Sequence, residues 1–377
     1  MCAVYLDHNA TTPLDPRVRE AMLPWLGERF GNPSSVHGFG QAAREAVEEA
    51  RTAVAALLGA RPAEIVFTAS GTEANNMVLA DLERRTGARG HVVLSAFEHA
   101  SIRAAAARLE RAGMAVEPVI PGPDGRVPAA DFAAALRPDT RLVCLMLANN
   151  ELGTLQPVAE VATLARAHGV PVLCDAVQAV GKVRVDVGEL GVDYLTLGAH
   201  KFHGPLGAAA LWVRGGIEIE GLLVGGSQER RRRASTENVP AIVGLGAAAR
   251  IAAAELPARA AHLAALRDRF EAGLAAIPGA VVHCAGTPRT PQTSHIALRG
   301  LSAQALLIRL DLRGFAVSTG SACAAGTVEA SPTLLAIGLD PAEALSSLRV
   351  SFGLTSRAEE VDAFLAALAA EAAELRR

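Results

Sequence analysis

Cysteine is scarce in this chain. Five residues, Cys2, Cys144, Cys174, Cys284 and Cys323, are scattered through 377, and none is paired at metal-ligand spacing. This excludes a disulfide-stapled scaffold, leaves no metal site to expect, and fits a reduced, cytoplasmic protein with free thiols. A basic excess is also missing: the formal net charge is -3. A nucleic-acid groove wants the opposite balance, so nucleic acid is not an expected partner. No apolar run reaches the length of a bilayer span, and the N-terminus lacks a signal-peptide pattern, so no membrane is expected. No Gly-x-Gly-x-x-Gly follows a strand, which disfavours a nicotinamide site. Internal repeats and low-complexity linkers are absent as well.

What remains is apolar and well punctuated. Half the residues are hydrophobic and 20% are charged, enough for a sizeable core in one large domain plus a smaller one. Short apolar stretches at 65–68, 91–95, 141–148, 171–174, 194–197 and 208–213 alternate with helical ones. That rhythm predicts an α/β fold with a mostly parallel sheet covered on both faces. A long amphipathic helix runs from Gln41 and stops at Gly59. A helix over 240–255 leads to a second, α+β domain beginning near Pro257, with helices at 261–274 and 358–375 and strands at 281–283, 294–298 and 345–352.

Ligands of parallel sheets sit outside the carboxyl ends of the strands, and those ends carry unusual polar groups here. After Phe67, Ser70-Gly71-Thr72 opens a helix. After Leu94 comes Glu98-His99. After Leu147 comes Asn149-Asn150-Glu151. After Leu173 comes Asp175, with Gln178 one turn on, and after Leu197 comes Gly198-Ala199-His200-Lys201. Each has a plain structural reading when taken alone: an N-cap at Thr72, a polar turn, a surface lysine. Together they match what pyridoxal phosphate requires. Asp175 can hold the proton on the pyridine nitrogen, which lets the ring act as an electron sink. Asn150 and Gln178 can donate to the phenolic oxygen, and His99 can stack on the ring. A helix N-terminus suits the phosphate. Lys201, desolvated, can offer its lone pair to the aldehyde. Cys144 and Cys174 lie within apolar runs and read as inert core, whereas Cys323 sits among Gly, Ser and Ala and reads as an exposed thiol. The run Arg230 to Arg233 is either a solvated face or a set of charges beside the phosphate.

These motifs together resemble the cysteine desulfurases, of the class V aminotransferase group of fold type I pyridoxal phosphate enzymes. The matching stretches are 5–12 (YLDHNATT), 31–35 (GNPSS), 71–76 (GTEANN), 149–151 (NNE), 175–178 (DAVQ), His200-Lys201, 236–238 (TEN) and 320–323 (GSAC). The Cys323 loop looks like that of the NifS/IscS-like branch. The resemblance implies a large domain over 13–256 with a mostly parallel seven-stranded sheet, and a smaller α+β domain from 1–12 and 257–377 that carries Cys323. It implies that Lys201 holds the cofactor covalently and moves protons, that His99 stacks and assists, and that Cys323 is the nucleophile. Gly71, Thr72, Gly198 and His200 would lie at the phosphate, with Gly198 where the family usually carries a serine. Asn150, Asp175 and Gln178 would hold the ring, and Asn32, Asn150 and Arg349 the substrate carboxylate. Thr236 would reach the phosphate of a partner subunit in a homodimer. The implied reaction converts L-cysteine to L-alanine and leaves sulfur on Cys323 as a persulfide. The sulfur would pass to a cluster scaffold or another acceptor protein, for iron–sulfur cluster assembly or for tRNA or cofactor thiolation. The alternatives are a selenocysteine lyase or another class V transaminase; a transaminase would not need Cys323.

Overall fold

The computed structural model describes residues 4–319 and 329–377. Cys2 and Cys323 lie outside the described residues. Among the described residues twelve strands are formed: β1 Val4–Tyr5, β2 Ile65–Thr68, β3 His91–Ser95, β4 Ala115–Val119, β5 Thr140–Cys144, β6 Val172–Asp175, β7 Tyr194–Gly198, β8 Ala209–Val213, β9 Ala280–Val282, β10 Thr293–Leu298, β11 Phe315–Ala316 and β12 Ser347–Ser351. Seven of them make one sheet in the order β2-β8-β7-β6-β5-β3-β4. β2, β3, β6, β7 and β8 are buried at every position and read as largely apolar runs. Only β8 runs against its neighbours; the β3–β4, β3–β5, β5–β6 and β6–β7 pairs are parallel. A smaller antiparallel sheet, β12-β10-β9, packs under the helices Ala303–Leu312 and Ala358–Leu375, and β1 pairs with β11.

Sequence reasoning missed β4. It is an edge strand, half exposed, with Pro118 inside it. An edge tolerates the missing N–H, and its weak alternation hid it. The expected break near Pro257 is also corrected. One helix runs from Val239 to Leu274 straight through that proline. Proline removes a single donor from the ladder, and its neighbours bridge the defect. Glu255 and Arg259, one turn apart, pair at 2.9 Å across it, and Arg17 reaches Glu255 at 2.5 Å. By length and composition this helix could cross a membrane, which corrects the expectation that no run is long enough. It is largely buried, however, against the helix Gly38–Leu57. A Cβ on Gly246 would meet the Ala50 Cα at 2.6 Å, so glycine is what allows this contact.

Apolar side chains gather in separate clusters. The largest lies between the seven-stranded sheet and the helices that include Val47, Val54, Leu245 and Ala249. Another joins Leu266, Phe270, Leu306, Leu348 and Phe364 around the small sheet. The carboxyl ends of β5, β6 and β7 and the end of β12 face the cleft between them.

Candidate active site

A cavity of about 870 Å³ fills that cleft. Of the residues singled out in the sequence, Gly71, Thr72, His99, Asn150, Asp175, Gln178, His200, Lys201 and Arg349 all line it. They come from six different segments, and the sheet is what brings them together. Gly198, the last residue of β7, is buried behind this wall with His200 and Val177 as its nearest side chains. Asn32 and Thr236 are exposed and do not line the cavity within one chain. Cys323 lies outside the described residues.

The helix Gly71–Thr86 points its first turn at the cavity. The cap is Ser70, whose hydroxyl accepts from the Glu73 N–H; Thr72 is already helical. The N–H groups of Gly71 and Thr72 therefore have no intrahelical partner and remain available to an anion. A Cβ on Gly71 would sit 2.8 Å from Val177 Cγ2, so only glycine lets the helix start approach the end of β6 this closely. One turn later Asn75 donates to Asp175 Oδ2 at 2.9 Å and to Ser101 Oγ at 3.0 Å. The Val177 N–H donates to the other oxygen of Asp175 at 3.0 Å. The Asp175 carboxylate is thus fixed in orientation. His99 Nδ1 accepts from the Ser101 N–H at 3.2 Å and lies 2.8 Å from Ser101 Oγ, which fixes the ring at the start of its helix.

Lys201 follows β7 in a short helical turn. Its amine donates to the carbonyls of Asn9 and Ala10, both at 2.7 Å. Burial, and then the Arg349 charge, pull its pKa down to about 8. A usable fraction is then neutral near pH 8, which an ordinary lysine does not offer. Burial also holds His200 near 4, so its imidazole is neutral. Arg349, on β12, is 4% exposed. It donates to Asp7 Oδ1 at 2.7 Å and to the Asn150 carbonyl at 2.9 Å, while its Nε–H is buried without a partner. A buried, unpaired N–H is costly and is a standing invitation to an anion.

These groups fit pyridoxal phosphate. A helix N-terminus is free for the phosphate, an oriented carboxylate for the pyridine nitrogen and a desolvated amine for the aldehyde. Composition held a further signal. The chain has only two lysines, Lys182 and Lys201, among 36 basic residues. An amine-linked cofactor has no other lysine to use, and only Lys201 lines the cavity. Asp7, Asn9, Asn75 and Glu98 were not assigned roles from sequence; Asn75, four residues along the helix from Gly71, was within reach of the i,i+4 rule.

Glu98 is buried in the cavity wall. Its Oε1 accepts from Ser95 Oγ and the Met146 N–H, both at 2.6 Å, and its Oε2 has no partner. Burial raises its pKa to about 8, with the Asp175 charge adding to the shift. The folded protein therefore keeps a proton that the unfolded chain releases above about pH 4.5, and stability falls as pH rises from there to 8. A Glu98→Gln variant should remove that fall, gaining roughly 1–3 kcal/mol over the parent at pH 8 and little at pH 4.5. Denaturant unfolding at the two pH values measures it; an equal effect at both would contradict the buried, protonated carboxyl.

Comparison with known proteins agrees with this chemistry. The family model for aminotransferase class-V matches residues 4–364. A cysteine desulfurase of Klebsiella pneumoniae is 42% identical over 372 residues, 98% of this chain and 92% of the relative. The solved structure of a NifS-like protein superposes with a TM-score of 0.93 at 34% identity, covering 99% of this chain and all of that one. A structure described as SspA in complex with cysteine gives 0.83 at 34% identity, covering 92% of this chain and 98% of that one. A seven-stranded, mostly parallel sheet with its lysine and aspartate at neighbouring strand ends is what fold type I requires. The chain belongs to the class-V aminotransferase family of pyridoxal phosphate-dependent enzymes, and within that family it groups with the cysteine desulfurases.

Proposed function

We propose that this protein removes the sulfur of L-cysteine, releases L-alanine and carries the sulfur as a persulfide on Cys323 for delivery to an acceptor protein. The observation that carries the reading is the pairing, across one cavity, of the desolvated Lys201 amine with the buried Arg349 guanidinium. An amino acid bound there presents its carboxylate to Arg349 and its Cα–H to Lys201. Residues 13–256 are read as the cofactor-binding domain, with 1–12 and 257–377 as the small domain; the separate apolar clusters support that division.

Bound pyridoxal phosphate supplies an aldehyde for the substrate amine and a protonated ring that accepts an electron pair from Cα. The chain supplies the rest. Gly71, Thr72 and His200 would hold the phosphate, with Gly198 beside them where the family usually carries a serine, and Thr236 would be contributed by a partner subunit. Asp175, locked by Asn75 and Val177, keeps the proton on the ring nitrogen. Gln178 and Asn150 flank the ring oxygen and His99 covers the ring face. Arg349, with Asn150 and Asn32, orients the substrate carboxylate. Lys201 Nζ takes the α-proton and returns a proton to the carbon skeleton. The Cys323 thiolate then bonds to the substrate sulfur as the Cβ–S bond breaks. The electron pair of that bond stays on carbon and is protonated, so cysteine plus enzyme thiol becomes alanine plus enzyme persulfide.

Exposed apolar side chains, among them Leu26, Phe30, Val36 and Phe39, support a homodimer in which Asn32 is covered. The buried free thiols Cys144 and Cys174 agree with a reducing, cytoplasmic setting. The persulfide is read as feeding iron–sulfur cluster assembly or tRNA or cofactor thiolation. Peptide mass spectrometry after incubation with L-cysteine tests the reading: one added sulfur atom on the peptide containing Cys323 is expected, and an unmodified peptide during turnover contradicts it. Arg349→Lys should raise KM for L-cysteine by roughly 10–100-fold, since a point charge replaces a planar fork and about 1.5–3 kcal/mol of binding goes with it. A KM within twofold of the parent would place the carboxylate elsewhere.

A further inference from the structure

We infer that Lys182 is a positioning residue, which fixes the Gln178 carboxamide so that an N–H, and not a carbonyl oxygen, faces the cofactor ring. This rests on the reading of the cavity as a pyridoxal phosphate site. Lys182 lies four residues after Gln178 and is 5% exposed. Its amine donates to Gln178 Oε1 at 2.6 Å. Gln178 Nε2 donates in turn to the Asn9 carbonyl at 2.8 Å, the same oxygen that receives the Lys201 amine at 2.7 Å. The two lysines of the chain are thus the two ends of one hydrogen-bonded chain, Lys182 to Gln178 to Asn9 to Lys201.

Two members of that chain are also held from outside it: Lys201 donates to the Ala10 carbonyl at 2.7 Å, and Asn9 is fixed through its side chain. Asn9 Nδ2 donates to Thr293 Oγ1 at 2.9 Å, and its Oδ1 accepts from Gln292 Nε2 at 2.9 Å. A carboxamide is nearly symmetric in shape, so its orientation is selected by its partners. The Asn9 carbonyl, which only accepts, takes the Nε2 end, and the Lys182 amine, donating to Oε1, locks the other end in the same sense. This leaves Nε2 with one N–H on Asn9 and a second for the cavity.

The surroundings of Lys182 are not those of a structural ion pair. No carboxylate pairs with it among the described residues. A small cavity of about 20 Å³, room for a single water, is lined by Lys182, Lys201, His8, His203, Arg259 and Gln292. The charged and titratable groups that face it are Lys201, Arg349, Arg259, His8 and His203, all basic. Burial, then Lys201 and Arg349, hold its pKa well below the ordinary value. An amine can shed its proton there and still donate, whereas a guanidinium cannot. That explains why a chain with arginine at 34 of its 36 basic positions keeps lysine here as well as at 201.

The test uses the dimeric, cofactor-loaded protein and the variants Lys182→Met, Gln178→Leu and their double. Methionine matches the volume and removes a buried amine without a counter-ion, so folding should survive. Each single variant should shift the visible absorbance of the bound cofactor alike. Each should lower kcat about tenfold, the size of effect seen when an outer partner of a site group is lost, with KM for L-cysteine changed less than twofold. The double should be no worse than either single. Lys182→Met with the parent's spectrum and kcat, or additive effects in the double, would overturn the inference. Should Lys182→Met not fold, lysine labelled with ¹³C at Cε gives just two resonances in this chain. Gln178→Leu should move the Lys182 signal, and an unmoved signal overturns the inference. A parent that takes up no cofactor and shows no visible band would overturn the underlying reading, and this inference with it.

Discussion

A Cys323→Ala variant is expected to bind cofactor with an unchanged visible spectrum and to release no sulfide from L-cysteine. The loss should be about 10³-fold or more, since removing a nucleophile leaves only binding and positioning. The described cysteines cannot stand in. The thiolate is the reactive form, and burial raises the pKa of Cys144 and Cys174 well above the thiol's usual value. Cys284 is pushed up to about 11, again chiefly by burial. None of the three lines the large cavity. Sulfide release by Cys323→Ala at more than a tenth of the parent rate would show that another group accepts the sulfur.

Lys201→Ala carries the other large effect. The variant should lose turnover by about 10³-fold or more, because on the proposed roles it removes both the covalent anchor and the base for the α-proton. The chain's composition makes the check clean. Borohydride reduction of the loaded parent should fix the cofactor on the peptide containing Lys201. With two lysines in the sequence, Lys182 is the sole alternative. Lys201→Ala should show no fixed cofactor. Label on Lys182 in the parent would contradict the geometry, in which Lys182 lies behind the wall and does not reach the cavity.

The expectations from sequence divide along physical lines. Strands that are buried at every position and mostly apolar, such as β3 and β7, declare themselves by length and composition, and the polar residues just after the strand ends line one cavity. Asp175, His200 and Lys201 each lie within four residues of such a strand end. Interactions that join distant segments were not legible. Lys201 donates to Asn9 across 192 positions, and Arg349 meets Asp7 across 342. Nothing in the local pattern of 7–10 predicts that its main chain will hold the Lys201 amine. Pro257 misled because local propensity argues for a break, while the Arg17, Glu255 and Arg259 network and the packing of the helix decide otherwise. The N-cap at Ser70 differs from the expected Thr72 by two residues, the usual uncertainty of a helix start, yet it decides which N–H groups remain free.

The measurement that bears most directly on the whole account is the product balance. Purified protein loaded with pyridoxal phosphate is given L-cysteine and a thiol reductant, and alanine and sulfide are followed in the same sample. Equal amounts of the two, formed at the same rate, are predicted. Alanine or keto acid without sulfide, or sulfide without alanine, would contradict a desulfurase and would leave the pairing of Lys201 with Arg349 to serve another reaction of the class-V family.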